Sequence, residues 1–465
     1  MTDAPWQGDA CSLVEAFRSG ERSPVEELTA TLAAIDASDL NAFSHVDAEG
    51  AGERAAAADV SKPFGGVPFG IKELSRYEGW PATEASLVFR DRVAGWTETQ
   101  LERAELAGGV VPVGLTTASE FGGLNVSTTR LNGTTHNPWQ HGRTAGGSSS
   151  GSSAAAAGGL CTIASGGDGG GSIRIPAAFN GLPGMKGTAG RIPRGPHTLI
   201  HPMTVVSGVM ARSIRDVARY YDVVAGYDPR DPYSLPKVAG WEAGLGSHLE
   251  DLRGRRLAVV PDLGVAVVRP EVADLVRASG EELARLAGME LVEVELSLPG
   301  LGLEWAVGNL AGLLGELGDR WPACRDDLTK EIAFGLEMAQ GLMSLETAAR
   351  AEAARTRANE AVADAFELAD VIVCATNPDV AFPAEITANT RVGGERVGLE
   401  NNGALTIPYN IVGNPSLSLP IGLVDGLPVG MQVAALHHRD AWLLDLGRLW
   451  ESERPWPLTA PGSPV

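Results

Sequence analysis

The run Gly-Asp-Gly-Gly-Gly-Ser at 167–172 sets a hydroxyl at the end of a stretch with almost no side chains. Consecutive glycines accept positive φ, so successive N–H groups can converge on one point and form an anion-binding nest. Phosphate fits it poorly. No lysine lies between 146 and 174, as a Gly-Lys-Ser/Thr phosphate loop requires, and no G-x-G-x-x-G occurs there. A nest beside a serine is instead what acyl transfer needs: the hydroxyl attacks a carbonyl and the N–H groups stabilise the oxyanion, one donor contributing about 2.7–4 kcal/mol.

Serine is a weak nucleophile at its ordinary pKa and needs a base. Histidine is the usual one. Spacing ties none of His45, His136, His141, His197, His201, His248, His437 and His438 to Ser172, and no G-x-S-x-G elbow surrounds that serine. Lys72 is the other candidate. It lies among Val67, Phe69, Ile71 and Leu74, and loss of hydration lowers a lysine pKa toward a neutral amine that can accept a proton. On residue types alone, a Ser-His-Asp arrangement and a lysine base both stay open.

These residues need elements to hold them. VPFGIKEL (67–74) reads as a buried strand carrying Lys72, and Leu160–Ser165 as a short strand entering a glycine turn over 166–172. Between them the Ser/Ala run predicts a short helix from near Ser149 to Gly158-Gly159. Ser23-Pro24-Val25-Glu26 combines an N-cap, a first-turn proline and a capping-box glutamate, so a helix should run to about Ala37. Helical patterns also cover about 51–58, 98–108, 213–225, 270–287, 303–318 and 345–368, with strands at 110–117, 256–261 and 370–375. This alternation predicts an α/β fold with a mainly parallel sheet covered on both faces. Residues 228–250 read as a loop-rich connection and the tail from Pro455 as surface coil. With no internal repeat and no interdomain linker, the expectation is a single domain over 1–465.

A chain of 465 residues with 44% hydrophobic and 20% charged residues has the composition of a globular protein with a large core. The first twenty residues lack a basic start and apolar run, and no stretch is apolar for long enough to span a bilayer, so a cytoplasmic protein without membrane contact is expected. A net charge of −21 repels a phosphate backbone and argues against nucleic acid as a partner. Cys11, Cys161, Cys324 and Cys374 are scattered, with no C-x-x-C pair, which argues against disulfides and structural zinc.

GVPFGIKEL (66–74), GGSSSGSSAAAAGG (146–159), GGDGGGSIRIPAAFNG (166–181) and GMKGTAGRIP (184–193) resemble, in order and spacing, the amidase signature family. The likeness extends to SPVEEL near the N-terminus, SGVMARSIRDVA (207–218) and IPYNIVGNPSLSLPIGLVDGLPVGMQV (407–433). It implies a large, mostly parallel, twisted mixed sheet with helices on both faces, a signature core over about 60–220 and a variable substrate region over about 300–390. It also implies a Ser-Ser-Lys triad: Ser172 the nucleophile, Ser148 the bridging serine and Lys72 the base. The N–H groups of Gly169, Gly170, Gly171 and Ser172 would form the oxyanion hole, and the reaction would need neither metal nor cofactor. Ser150, Gly169 and Gly187 stand where the family often has Gly, Thr and Pro; of these, Gly169 implies a roomier and more flexible oxyanion loop.

Each residue also has a plainer reading. Lys72 could snorkel from a strand end, though the other motifs reverse that preference. Ser148 and Ser149 could cap the helix, and Ser149 is expected to cap or orient while Ser148 carries protons. Asp168 and Arg174 are better read as a buried ion pair or hydrogen-bonding pair that shapes the loop than as catalytic groups. Cys161 reads as core and His437-His438 as a surface turn. LEWAVGNLAGLLGEL (303–317) and ATNPDVAFPAEI (375–386) are mainly apolar, which favours an uncharged aryl or alkyl amide, anilide or carbamate, with esters chemically accessible. The expected partners are that small molecule and a second copy in a homodimer. The rival readings are a component of the tRNA-dependent glutamine amidotransferase, acting with partner subunits, and a non-catalytic binding protein that keeps the fold.

Overall fold

Ser23 accepts the Glu26 N–H at its hydroxyl while the Glu26 carboxylate accepts the Ser23 N–H, and the helix Pro24–Ala37 begins there as its capping box predicts. The computed structural model describes residues 4–197 and 204–464. Its principal strands are β1 (Phe43–Val46), β2 (Pro68–Lys72), β3 (Val111–Thr116), β4 (Ile163–Asp168), β5 (Gly184–Lys186), β6 (Val206–Ala211), β7 (Arg256–Val259), β8 (Glu290–Val292), β9 (Val371–Ala375), β10 (Ser416–Val424) and β11 (Leu427–Ala435). They form a five-stranded sheet ordered β1-β3-β2-β4-β6 and a six-stranded sheet ordered β8-β7-β9-β11-β10-β5, with β5 and β6 side by side where the two meet.

The α/β expectation holds, and helices cover these mixed sheets. Parallel pairing is confined to β2 with β3 and β4, and to β7 with β8 and β9. The other neighbours run antiparallel, a larger share than a mostly parallel sheet implies. One cause is local: Asp425 and Gly426 both adopt positive φ, the turn geometry that folds β10 directly back into β11. Strands β2, β3, β6, β9 and β11 are buried at every residue, and apolar residues predominate in them.

The Ser/Ala helix forms over Ser150–Ala157 and is buried along its whole length against β2, β3, β4 and β6. Only small side chains allow this approach. A Cβ at Gly151 would lie 2.3 Å from the Ala42 carbonyl oxygen and 2.4 Å from the Thr117 nitrogen. The predicted strand and glycine turn are shifted: β4 starts at Ile163, and Gly166 and Gly167 extend it to Asp168 because β6 pairs with them. The turn itself therefore begins at Gly169. The C-terminal tail is irregular but not all surface, since Ala460 is buried with its N–H on the Ala157 carbonyl and Trp456 Nε1 donates to the Arg212 carbonyl. No helix among the described residues is long and apolar enough to cross a membrane.

Because backbone faces Gly151 on two sides, Gly151→Ala is expected to destabilise the fold by about 3 kcal/mol. The measurement is the midpoint of chemical denaturation at unchanged slope.

Candidate active site

Lys72 closes β2. Its N–H donates to Ser165 Oγ on β4 at 2.8 Å, which fixes where the side chain leaves the sheet. The chain does not snorkel: Lys72 is only 4% exposed, and its Nζ donates to Ser148 Oγ at 2.8 Å and to the Gly167 carbonyl at 3.1 Å. Burial lowers the amine to about 7, against the weaker opposing pull of the Asp168, Glu84 and Glu98 carboxylates. The neighbouring Glu73 faces elsewhere, accepting from Thr83 Oγ1 at 2.6 Å and Asn132 Nδ2 at 2.7 Å. An amine poised near neutrality beside a buried hydroxyl can exchange a proton with it.

Ser148 and Ser149 precede the Ser150–Ala157 helix. The Ser149 hydroxyl makes no capping bond, contrary to one reading of it; it lies 3.4 Å from both the nitrogen and the carbonyl oxygen of Gly167. Its backbone N–H donates to the Ser172 carbonyl at 3.3 Å, so the segment that carries Ser148 abuts the one that carries Ser172. The Ser172 hydroxyl is half-buried and has no hydrogen-bond partner among the described residues.

The glycine loop is held peptide by peptide. In a trans peptide the C=O and the following N–H point in opposite directions, so anchoring one aims the other. The Asp168 carbonyl accepts from Asn410 Nδ2 at 2.9 Å, that of Gly169 from Trp305 Nε1 at 2.6 Å, that of Gly170 from Thr406 Oγ1 at 2.6 Å, and that of Gly171 from the Ile175 N–H at 2.7 Å. The N–H groups of Gly169, Gly170 and Ser172 have no acceptor among the described residues. Gly171 differs from the expectation: its N–H donates to Asp168 Oδ1 at 2.8 Å, which removes it from the free donors. The expected roominess at Gly169 is also absent, since a Cβ there would meet Val205 Cγ2 at 3.0 Å.

Asp168 and Arg174 form a fully buried ion pair, with Oδ1 to Nη2 at 2.8 Å and Oδ2 to Nε at 3.0 Å. Burial alone would raise the Asp168 carboxyl, but Arg174 and Asn410 outweigh it and hold it well below the usual carboxylate range. No histidine among the described residues bonds to Lys72, Ser148 or Ser172, and His201 lies outside those residues. The described side chains spaced to hold a cation are Asp9, Cys11 and Asp216, where Asp9 already pairs with Arg215 and Asp216 accepts the Ala10 and Cys11 N–H groups.

The sequence profile of the Amidase family matches residues 26–444. The chain belongs to the amidase signature family. It is 32% identical to an acylamidase of Rhodococcus erythropolis, over 96% of this chain and 95% of that one. It is 34% identical to a glutamyl-tRNA(Gln) amidotransferase subunit of Roseiflexus sp. (strain RS-1), over 97% of each. Among solved structures, a bacterial aryl acylamidase of the amidase signature family superposes with a TM-score of 0.88 at 26% identity, covering 97% of both chains. A 6-aminohexanoate cyclic dimer hydrolase complexed with substrate gives 0.86 at 27%, covering 99% of both.

This amidase is thus an amide-hydrolysing enzyme, and its structure joins Lys72 to Ser148, Asp168 to Arg174, and the Ser149 N–H to the Ser172 carbonyl, while no hydrogen bond links the Ser148 and Ser172 hydroxyls. Sequence reasoning did not single out Asn410, Gln432, Thr406 or Trp305. Asn410 and Gln432 lie inside quoted motif segments, and both bind Arg174: Asn410 Oδ1 accepts from Nη2 at 2.6 Å and Gln432 Oε1 from Nη1 at 2.5 Å. Trp305 carried only an apolar signal. Removing the carboxylate alone would leave Arg174 buried and unpaired, so Asp168→Ala is expected to cost about 3–5 kcal/mol, measured by reversible denaturation.

Proposed function

We propose that this amidase hydrolyses the C–N bond of a small uncharged amide through an acyl-enzyme on Ser172. Neutral Lys72 takes a proton from Ser148, Ser148 takes one from Ser172, and Ser172 Oγ attacks the carbonyl carbon. The N–H groups of Gly169, Gly170 and Ser172 receive the oxyanion. On collapse the C–N bond breaks and the relay reverses to protonate the departing amine. Water then loses a proton to the same relay and attacks the acyl-enzyme, releasing the acid and restoring Ser172. The observation that carries this reading is the buried Lys72 Nζ, 2.8 Å from Ser148 Oγ and lowered to about 7.

Apolar side chains beside the site support an aryl or alkyl amide or anilide, with carbamates and esters open to the same chemistry. A Cβ at Gly122 would lie 3.4 Å from Ser148 Oγ, and one at Gly123 would meet Ile332 Cδ1 at 2.5 Å. Phe121 packs edge-on against Phe89 there, in a cluster with Ile332, Leu313 and Leu317. Likeness to the aryl acylamidase points the same way. The amidotransferase reading draws on the 34% identity to the Roseiflexus protein, while the net charge of −21 weighs against a tRNA-bound assembly. Glutamine hydrolysis together with co-purifying partner subunits would favour that second reading.

The test is a panel of anilides, aryl amides, carbamates and esters with intact-mass detection of an adduct on Ser172. Ser172→Ala should abolish hydrolysis in a folded protein, and Lys72→Ala should nearly do so; full activity in Ser172→Ala overturns the mechanism. The base works deprotonated and its amine titrates at about 7. Hence kcat/KM should rise with pH through that value and level above it. A flat profile from about pH 5 to about pH 9 would rule out Lys72 as the base.

A further inference from the structure

The geometry points to Trp305 as a positioning residue that aims an oxyanion donor. The inference rests on the Ser172 acyl-enzyme reading. Trp305 stands on the helix Gly302–Leu317, outside every signature motif, yet its indole Nε1 donates to the Gly169 carbonyl at 2.6 Å across 136 residues of chain. That carbonyl shares a peptide plane with the Gly170 N–H, so holding the oxygen on the indole turns the Gly170 N–H to the opposite side, where it has no acceptor among the described residues. The ring also closes on Gly170 itself: a Cβ there would lie 3.0 Å from both Cε2 and Nε1. The ring packs with Leu301, Ala358 and Ile407, an anchor that does not depend on the indole N–H.

Glycine at 169 and 170 makes this hold necessary. Peptides flanked by glycine have the widest choice of φ and ψ, and an oxyanion donor is effective only if it is aimed before the charge develops. The peptides on either side are held by Asn410, inside a signature segment, and by Thr406, immediately before it, whereas the one bearing the Gly170 N–H is held by Trp305. The same helix contributes Leu310, Leu313 and Leu317 to the apolar cluster around Phe121. The element expected to meet the substrate therefore also orients the donor, and its effect should fall on the chemical step more than on binding.

Trp305→Phe keeps an aromatic anchor and deletes the N–H. For an aryl amide, kcat is expected to fall roughly 10- to 100-fold, less than or similar to outright loss of one donor, with KM changed by less than about threefold. Acyl adduct on Ser172 should form correspondingly more slowly, and the pH midpoint near 7 should stay in place because Lys72 is untouched. A kcat within about twofold of the parent enzyme, or a loss confined to KM, overturns the inference. If Trp305→Phe fails to fold, benzothienylalanine at 305, which replaces only the N–H by sulfur, is judged by the same outcomes. Ser172→Ala is assayed in parallel. Activity there overturns the acyl-enzyme reading itself, whereas an inactive Ser172→Ala beside a fully active Trp305→Phe overturns only the role given to Trp305.

Discussion

The pairing of Asp168 with Arg174 is the contact on which the rest of the site depends. Both side chains are wholly buried, and taking two such charges out of water costs several kcal/mol per ion unless every donor and acceptor finds a partner. Here they do. The carboxylate accepts the N–H groups of Gly171, Ile173 and Arg174 as well as the guanidinium, so it shapes the glycine loop and starts the helix Arg174–Asn180. The guanidinium reaches out to the Thr406 carbonyl, Asn410 and Gln432. Thr406 and Asn410 lie at the helix Ile407–Val412 and Gln432 on β11, so one ion pair joins the loop after β4 to the other sheet.

Burial sets the state of Lys72, and Asp168 is the foremost of the carboxylates that oppose it. An unpaired carboxylate this close would favour the ammonium form of the lysine. Asp168, Glu84 and Glu98 together raise the Lys72 pKa by less than burial lowers it, and the amine comes to rest at about 7. The ion pair thus shapes the glycine loop, while the lowered amine of Lys72 is a consequence of its burial.

Much of this was legible in the chain. The glycine run, the lysine in an apolar strand and the small-residue helix are local features, and the capping box at Ser23 marked the helix start it was expected to mark. The Asp425-Gly426 turn is equally local and announces the β10-β11 hairpin, though its flanking strands were not anticipated. Other features carry no local signature. Asn410 and Arg174 are 236 residues apart, and nothing in an isolated Pro-Tyr-Asn distinguishes an amide that satisfies a buried guanidinium from one exposed to water. Gly171 looks like its glycine neighbours in sequence; only the fold commits its N–H to Asp168 and leaves those of Gly169 and Gly170 free.

By itself, then, the sequence determined the repertoire: which side chains can attack, accept a proton or tolerate close backbone packing, and the α/β alternation that holds them. These are properties of residues and their immediate neighbours. Tertiary structure decided what each group is able to do, because desolvation and peptide orientation depend on segments far apart in the chain. Lys72 loses its water only when the sheet and the Ser/Ala helix close over it, and the Gly170 N–H acquires a direction only when Trp305 and Gly169 meet.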